Sequence, residues 1–99
     1  MYIVREVMNC KPGKVRPMVE KFRALGDVME KLGFGRPRVM TDVSGEPYWT
    51  VIAEMEVERL SDFFEMDDKV FADAGAAEIM AGYHDLVDHG RREIYKVES

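Results

Sequence analysis

Cysteine occurs once, at Cys10, so no disulfide can close within these 99 residues and a cysteine-based metal site is excluded. A single thiol fits a reducing compartment, and a cytoplasmic location is the expectation. Long apolar runs are also missing: none approaches the roughly 20 residues a membrane-spanning helix needs. The opening Met1-Tyr2-Ile3-Val4-Arg5-Glu6 reaches charge too early for a secretory signal. Basic clusters are scarce. Arg91-Arg92 is the densest and Glu93 follows at once, while the net charge is -5. Such an acidic surface repels phosphate backbones, so neither a nucleic-acid partner nor a membrane is expected. Repeats, linkers and low-complexity stretches are absent too, and residues 1–99 read as a single domain.

What is present is a globular balance of 46% hydrophobic and 33% charged residues, arranged with clear periodicity. Tyr2 to Cys10 reads as a strand that ends at the breaker Lys11-Pro12-Gly13-Lys14. Val15, Met18, Val19, Phe22, Leu25, Met29 and Leu32 then recur at spacings of three and four, which predicts a helix with one apolar stripe. Pro17 belongs in its first turn, and Gly33 stops it. Pro37 to Val43 is a second strand, Ser44-Gly45-Glu46-Pro47 a turn, and Tyr48 to Val57 a third strand. On that strand Trp49, Val51, Ala53, Met55 and Val57 share a wholly apolar face; Tyr48, Thr50, Ile52, Glu54 and Glu56 share a mixed one. Ser61 is placed to cap a second helix, Ala76 to Asp88 forms a further helix ended by Gly90, and Arg91 to Val97 is the last strand.

Strand, helix, hairpin, helical segment and strand is the ferredoxin-like β-α-β-β-α-β order of an α+β domain with a four-stranded antiparallel sheet. Helices cover one face of such a sheet. The other, bearing Thr50, Ile52 and Glu54, stays open and half-apolar, and a second copy packed on it would complete a barrel-like homodimer.

Three segments carry a family likeness: Val4-Arg5-Glu6 leading into Lys11-Pro12-Gly13-Lys14 before a long helix, Gly35-Arg36-Pro37-Arg38-Val39 ahead of Thr41-Asp42 and Ser44-Gly45, and the closing Gly90-Arg91-Arg92-Glu93-Ile94-Tyr95. In this order and over nearly the whole length, the chain resembles the dimeric α+β barrel superfamily, and within it the NIPSNAP-like and antibiotic-biosynthesis-monooxygenase-like small proteins. The resemblance implies a cavity between sheet and helices. In the monooxygenase-like and haem-degrading relatives an Asn, a Trp and a His often surround that cavity. Here Asn9 ends strand one, Trp49 opens strand three and His84 lies on the last helix. The family's Trp usually sits on the helix after strand three, where this chain has Phe63 or Phe64, so the match is one of residue types more than of positions.

The expectation that follows is a small organic ligand, aromatic or apolar, held between sheet and helices without a cofactor. Trp49 and Tyr83 would contact it, with Phe22 and Phe64 as walls and Arg5 holding an anionic group. His84 or Glu54 would serve as acid–base group and Asn9 as a polar partner, in cofactor-independent oxidation or isomerisation. The plainer alternative is a non-catalytic NIPSNAP-like interaction domain with a filled interior. Trp49 would then be core, Asn9 a strand end and His84 partly exposed, while Arg5, Glu54, Glu56, Arg91, Arg92 and Glu93 would fix strand register at the dimer centre. Haem binding is a third possibility. His84 and Asp88 fall four apart, on one face of the expected last helix, but two ligands do not make a metal site, and none is expected.

Overall fold

A computed structural model describes residues 1–45 and 47–99. The Ser44–Pro47 turn therefore falls partly outside the described residues. The chain runs β1 (Tyr2–Cys10), α1 (Val15–Lys31), β2 (Arg38–Thr41), β3 (Thr50–Val57), α2 (Leu60–Phe71), α3 (Ala74–Met80), a 3-10 turn (Tyr83–Asp85) and β4 (Val87–Lys96). The strands form one sheet in the order β2-β3-β1-β4, with every neighbouring pair antiparallel. This is the expected ferredoxin-like α+β architecture. Among the described residues, no helix is long and apolar enough to cross a membrane.

β1 is central because its alternation serves two environments. Val4, Glu6, Met8 and Cys10 point toward the helices, while Ile3, Arg5, Val7 and Asn9 point to the bare side. The helical stripe of α1 buries Met18, Val19, Phe22, Leu25 and Met29 against Val4, Val51 and Ala53. Pro17 sits in the first turn of α1, where its missing N–H costs nothing. Leu32, placed in the stripe by spacing, instead caps the helix and is 42% exposed, because Gly33 turns away at a φ of 92°.

Three local expectations need correction. Helix α2 begins one residue before Ser61, with extended Arg59 as its N-cap and no side-chain cap bond. The Asp73-Ala74-Gly75 stretch, whose composition suggests a break, starts α3 instead: the Asp73 carboxylate accepts a hydrogen bond from the Ala76 N–H at 3.0 Å. The helix expected over Ala76–Asp88 ends at Met80. Gly82 takes a left-handed φ of 79°, and the segment from Val87 joins the sheet. Long-range pairing with β1 overrides the local helical spacing, so His84 and Asp88 lie on a 3-10 turn and a strand rather than on one helical face. Gly90 then falls inside β4 opposite Met8. A Cβ there would lie 3.0 Å from the Met8 Sδ and 3.2 Å from the Val7 carbonyl oxygen, so the close strand approach favours glycine.

Trp49 also departs from expectation. Its φ of 63° takes it out of strand alternation, so β3 starts at Thr50 and the indole does not join the Val51–Ala53–Met55–Val57 face. Thr50 anchors that start: its N–H donates to Asp42 Oδ1 at 2.8 Å and its hydroxyl to the Pro47 carbonyl at 2.6 Å.

Candidate functional site

A cavity of about 250 Å³ lies between the sheet and the helices. Its floor is Val4, Glu6 and Met8 of β1 with Ala53 and Met55 of β3; Phe22, Leu25 and Met29 of α1 and Phe63, Met66 and Val70 of α2 form its roof. Tyr83 and Met80 contribute from the region after α2. A larger hollow of about 600 Å³ runs along the β3 edge, but it is a charged surface groove, with Arg36, Arg38, Glu54, Glu56, Asp62 and Glu65 in its walls. The smaller cavity is the better ligand site, because apolar walls with a few convergent polar groups are what small organic molecules require.

Those polar groups come from three elements. Glu6 stands in register with Arg92 of β4, whose Nε–H donates to Glu6 Oε1. Arg92 Nη2 also lies 3.6 Å from Asp67 Oδ2 on α2, and its guanidinium sits 4.9 Å from the centre of the Phe63 ring. Two carboxylates thus share one guanidinium, leaving the cluster with one excess negative charge. Burial pushes the Glu6 carboxyl above its ordinary 4.5; the Arg92 hydrogen bond opposes that rise and the Asp67 charge adds to it.

The residues singled out from sequence divide between separate places. Phe22 and Tyr83 line the cavity as expected. His84 is exposed, its ring 4.0 Å from that of Tyr83, and lines a neighbouring groove of about 390 Å³ with Asp88, His89 and Arg91. Cavity and groove share Glu6, Met8, Tyr83 and Arg92 as a common wall. Phe64 is 46% exposed and packs edge-on against Phe63, which takes the wall position instead. Trp49 is 43% exposed, so it is not core, and it lines a different groove with Val15, Thr41, Asp42 and Tyr48.

Arg5, Glu54 and Asn9 all lie on the bare sheet face, away from the cavity. Arg5 Nε donates to Glu54 Oε1 at 2.7 Å, and Arg38 Nε lies 3.8 Å from Glu54 Oε2. Register extends this into a row across all four strands: Arg38, Glu54, Arg5 and Glu93. Asn9 is buried; its Nδ2 donates to Thr50 Oγ1 at 3.2 Å, while its Oδ1 has no partner among the described residues. Among the described residues, no three His, Cys, Asp or Glu side chains gather as a metal site.

Glu6 and Asp67 are not singled out by the sequence, and Arg92, expected among the charges at the dimer centre, instead lines the cavity beside Glu6. The available signal was a lone carboxylate between Val4 and Met8 on the helix-facing side of a central strand. Asp67 carried no such signal, since it joins the group only through tertiary packing.

No protein-family profile matches the chain, and no curated protein matches it in sequence. Solved structures do. A NIPSNAP family protein of unknown function from Agrobacterium tumefaciens superposes with a TM-score of 0.81 at 17% identity, covering 98% of this chain and 87% of that one. An uncharacterised NIPSNAP domain protein from Burkholderia xenovorans gives 0.79 at 14% identity, covering 100% and 96%. A candidate antibiotic biosynthesis monooxygenase from Nitrosomonas europaea gives 0.75 at 12% identity, covering 100% of each. Likeness at these identities concerns backbone architecture. The chain has a ferredoxin-like α+β fold, with NIPSNAP-family and monooxygenase-like structures as its neighbours.

Proposed function

We propose that residues 1–99 act as one domain that binds a small organic molecule, with an aromatic or apolar body and one polar end, in the cavity between sheet and helices. The observation that carries this reading is the Glu6–Arg92–Asp67 cluster, set in a wall that is otherwise apolar. Phe22, Phe63 and Tyr83 supply ring contacts for the body, and Arg92 supplies hydrogen bonds for the polar end. A volume of about 250 Å³ fits a molecule of one or two rings. Amide-resolved NMR titration with 2-tetralone, 2-naphthol and 3-phenylpropionate tests it. Saturable shifts at Met8, Phe22 and Met66 that Ala53→Met abolishes are expected; no saturable shifts with any of the three would overturn the reading.

The scaffold in this proposal is a cytoplasmic homodimer paired through the bare sheet face. Ile3, Met40 and Ile52 offer apolar contact there, beside the Arg38–Glu54–Arg5–Glu93 row. The same row favours a second reading, in which the paired domain is a non-catalytic interaction module and the cavity has no ligand. Loss of dimer without loss of probe binding would separate the two sites.

A further inference from the structure

We infer that Glu6 is a proton-transfer base and Arg92 its oxyanion partner, acting on an aryl ketone or a related aryl carbonyl compound with an acidic α C–H. This rests on the cavity being a ligand site and adds the chemistry it performs.

The argument starts from what surrounds the carboxylate. From β4 it faces Arg92, from α2 Asp67, and from the 3-10 turn Tyr83; across the shared wall the neighbouring groove adds His84, Asp88, His89 and Arg91. The groups lining the cavity from α1 and β3 are apolar: Phe22, Leu25, Met29, Ala53 and Met55. Glu6 therefore meets a ligand in the cavity from its polar end only. A carboxylate made more basic by burial, beside a guanidinium, is the pairing enolisation needs.

Charge and electron bookkeeping close without another reagent. Glu6 takes the α proton, the C–H pair becomes the new C=C bond, and the carbonyl π pair moves onto oxygen. On protonation Glu6 loosens its hold on Arg92, and the guanidinium turns to the enolate oxygen. One negative charge leaves the carboxylate and appears on that oxygen, so the net charge of the apolar cavity does not change. Return of the proton to the same carbon gives exchange, and to another carbon of an extended enol gives isomerisation. No oxidant is consumed.

The test uses the full chain with 2-tetralone in deuterium oxide at neutral pH, following loss of the α-proton signals by NMR beside the binding titration. The wild-type protein should accelerate exchange over buffer, and Glu6→Gln should bind the ketone while losing about 100-fold or more of that acceleration. The rate should fall as pH drops through an inflection above 4.5, the ordinary glutamate value. Binding without exchange, or exchange that survives Glu6→Gln and fails in His84→Ala, would overturn the assignment and leave the ligand reading intact. Absence of saturable binding by the whole probe panel would instead overturn the ligand reading itself.

Discussion

Arg5 and Glu54 face each other across β1 and β3, 2.7 Å apart, on the sheet side that the helices leave bare. Arg38 and Glu93 extend the pair into an alternating row. Within one chain such facing charges stabilise a sheet by roughly 0.2–1 kcal/mol per pair. In the proposed dimer the row also lies at the interface, where like charges are repelled. Glu54→Arg would place three arginines side by side and is expected to yield a monomer by sedimentation at micromolar concentration. Adding Arg5→Glu should restore the dimer. A wild-type protein that is monomeric under the same conditions would remove the pairing proposal.

Glu6 gives stability an unusual pH dependence. Its carboxyl is held above 4.5 in the fold, chiefly by burial, so the folded chain keeps that proton to higher pH than the unfolded chain does. Its contribution is fullest in acid and is lost as pH rises through the window between the ordinary and the raised value. Glu6→Gln has no proton to lose, so its Tm relative to wild type should climb as pH rises from the ordinary carboxyl value of 4.5 through the raised one. A pH-independent difference would show that burial does not hold the Glu6 proton.

Gly90→Ala places a methyl group 3.0 Å from the Met8 Sδ and 3.2 Å from the Val7 carbonyl. Met8 can swing aside, but the carbonyl is part of the β1 backbone. Destabilisation of about 1–3 kcal/mol is expected, measured as a lowered midpoint in urea with an unchanged slope. An unchanged midpoint would mean that β4 lies farther from β1 at this point.

Helix α3 has only seven residues and relies on two polar ties. Asp73 caps its start, and Lys21 of α1 donates to the carbonyls of Ile79 and Ala81 at its end, at 2.8 and 2.9 Å. Asp73→Ala should cost about 0.5–2 kcal/mol. Hydrogen exchange should accelerate at Ala76 and Ala77 well before it does in β1, since a short helix opens locally. Uniform acceleration across the sheet would refute that independence.

Cys10 is buried, and its thiol is held above its ordinary value of 9.0 by desolvation first and by the Asp88 charge second. Reaction with a thiol reagent at neutral pH should therefore be slow in the native chain and rapid in denaturant. Stoichiometric labelling of the native protein within seconds would contradict this placement.

Elements governed by local periodicity were legible in the sequence. The bounds of β1 and the α1 stripe follow from alternation and from spacings of three and four. The bare face was legible too, because Thr50, Ile52 and Glu54 alternate with Val51, Ala53 and Met55. What stayed hidden depended on distant partners. Residues 83–90 have helical spacing, yet Val87 onward joins β1. Trp49 was misplaced because a positive φ leaves no mark on an aromatic residue. The candidate site shifted from His84 and Glu54 to Glu6 and Arg92 for a similar reason: which of several charged residues faces inward depends on strand register, and only Tyr83 and Phe22 kept their expected places.

The pairing of β1 with β4 contains one irregularity: Asn9 pairs with His89 but Cys10 with Val87, leaving Asp88 as an extra residue. That bulge works as a slip joint. Arg91 and Arg92 are adjacent and chemically identical, and only odd–even parity along β4 decides which of them reaches the cavity. A one-residue change of length in the turn upstream can be absorbed at the bulge, so the 83–86 segment can vary without exchanging the inward arginine for the outward one.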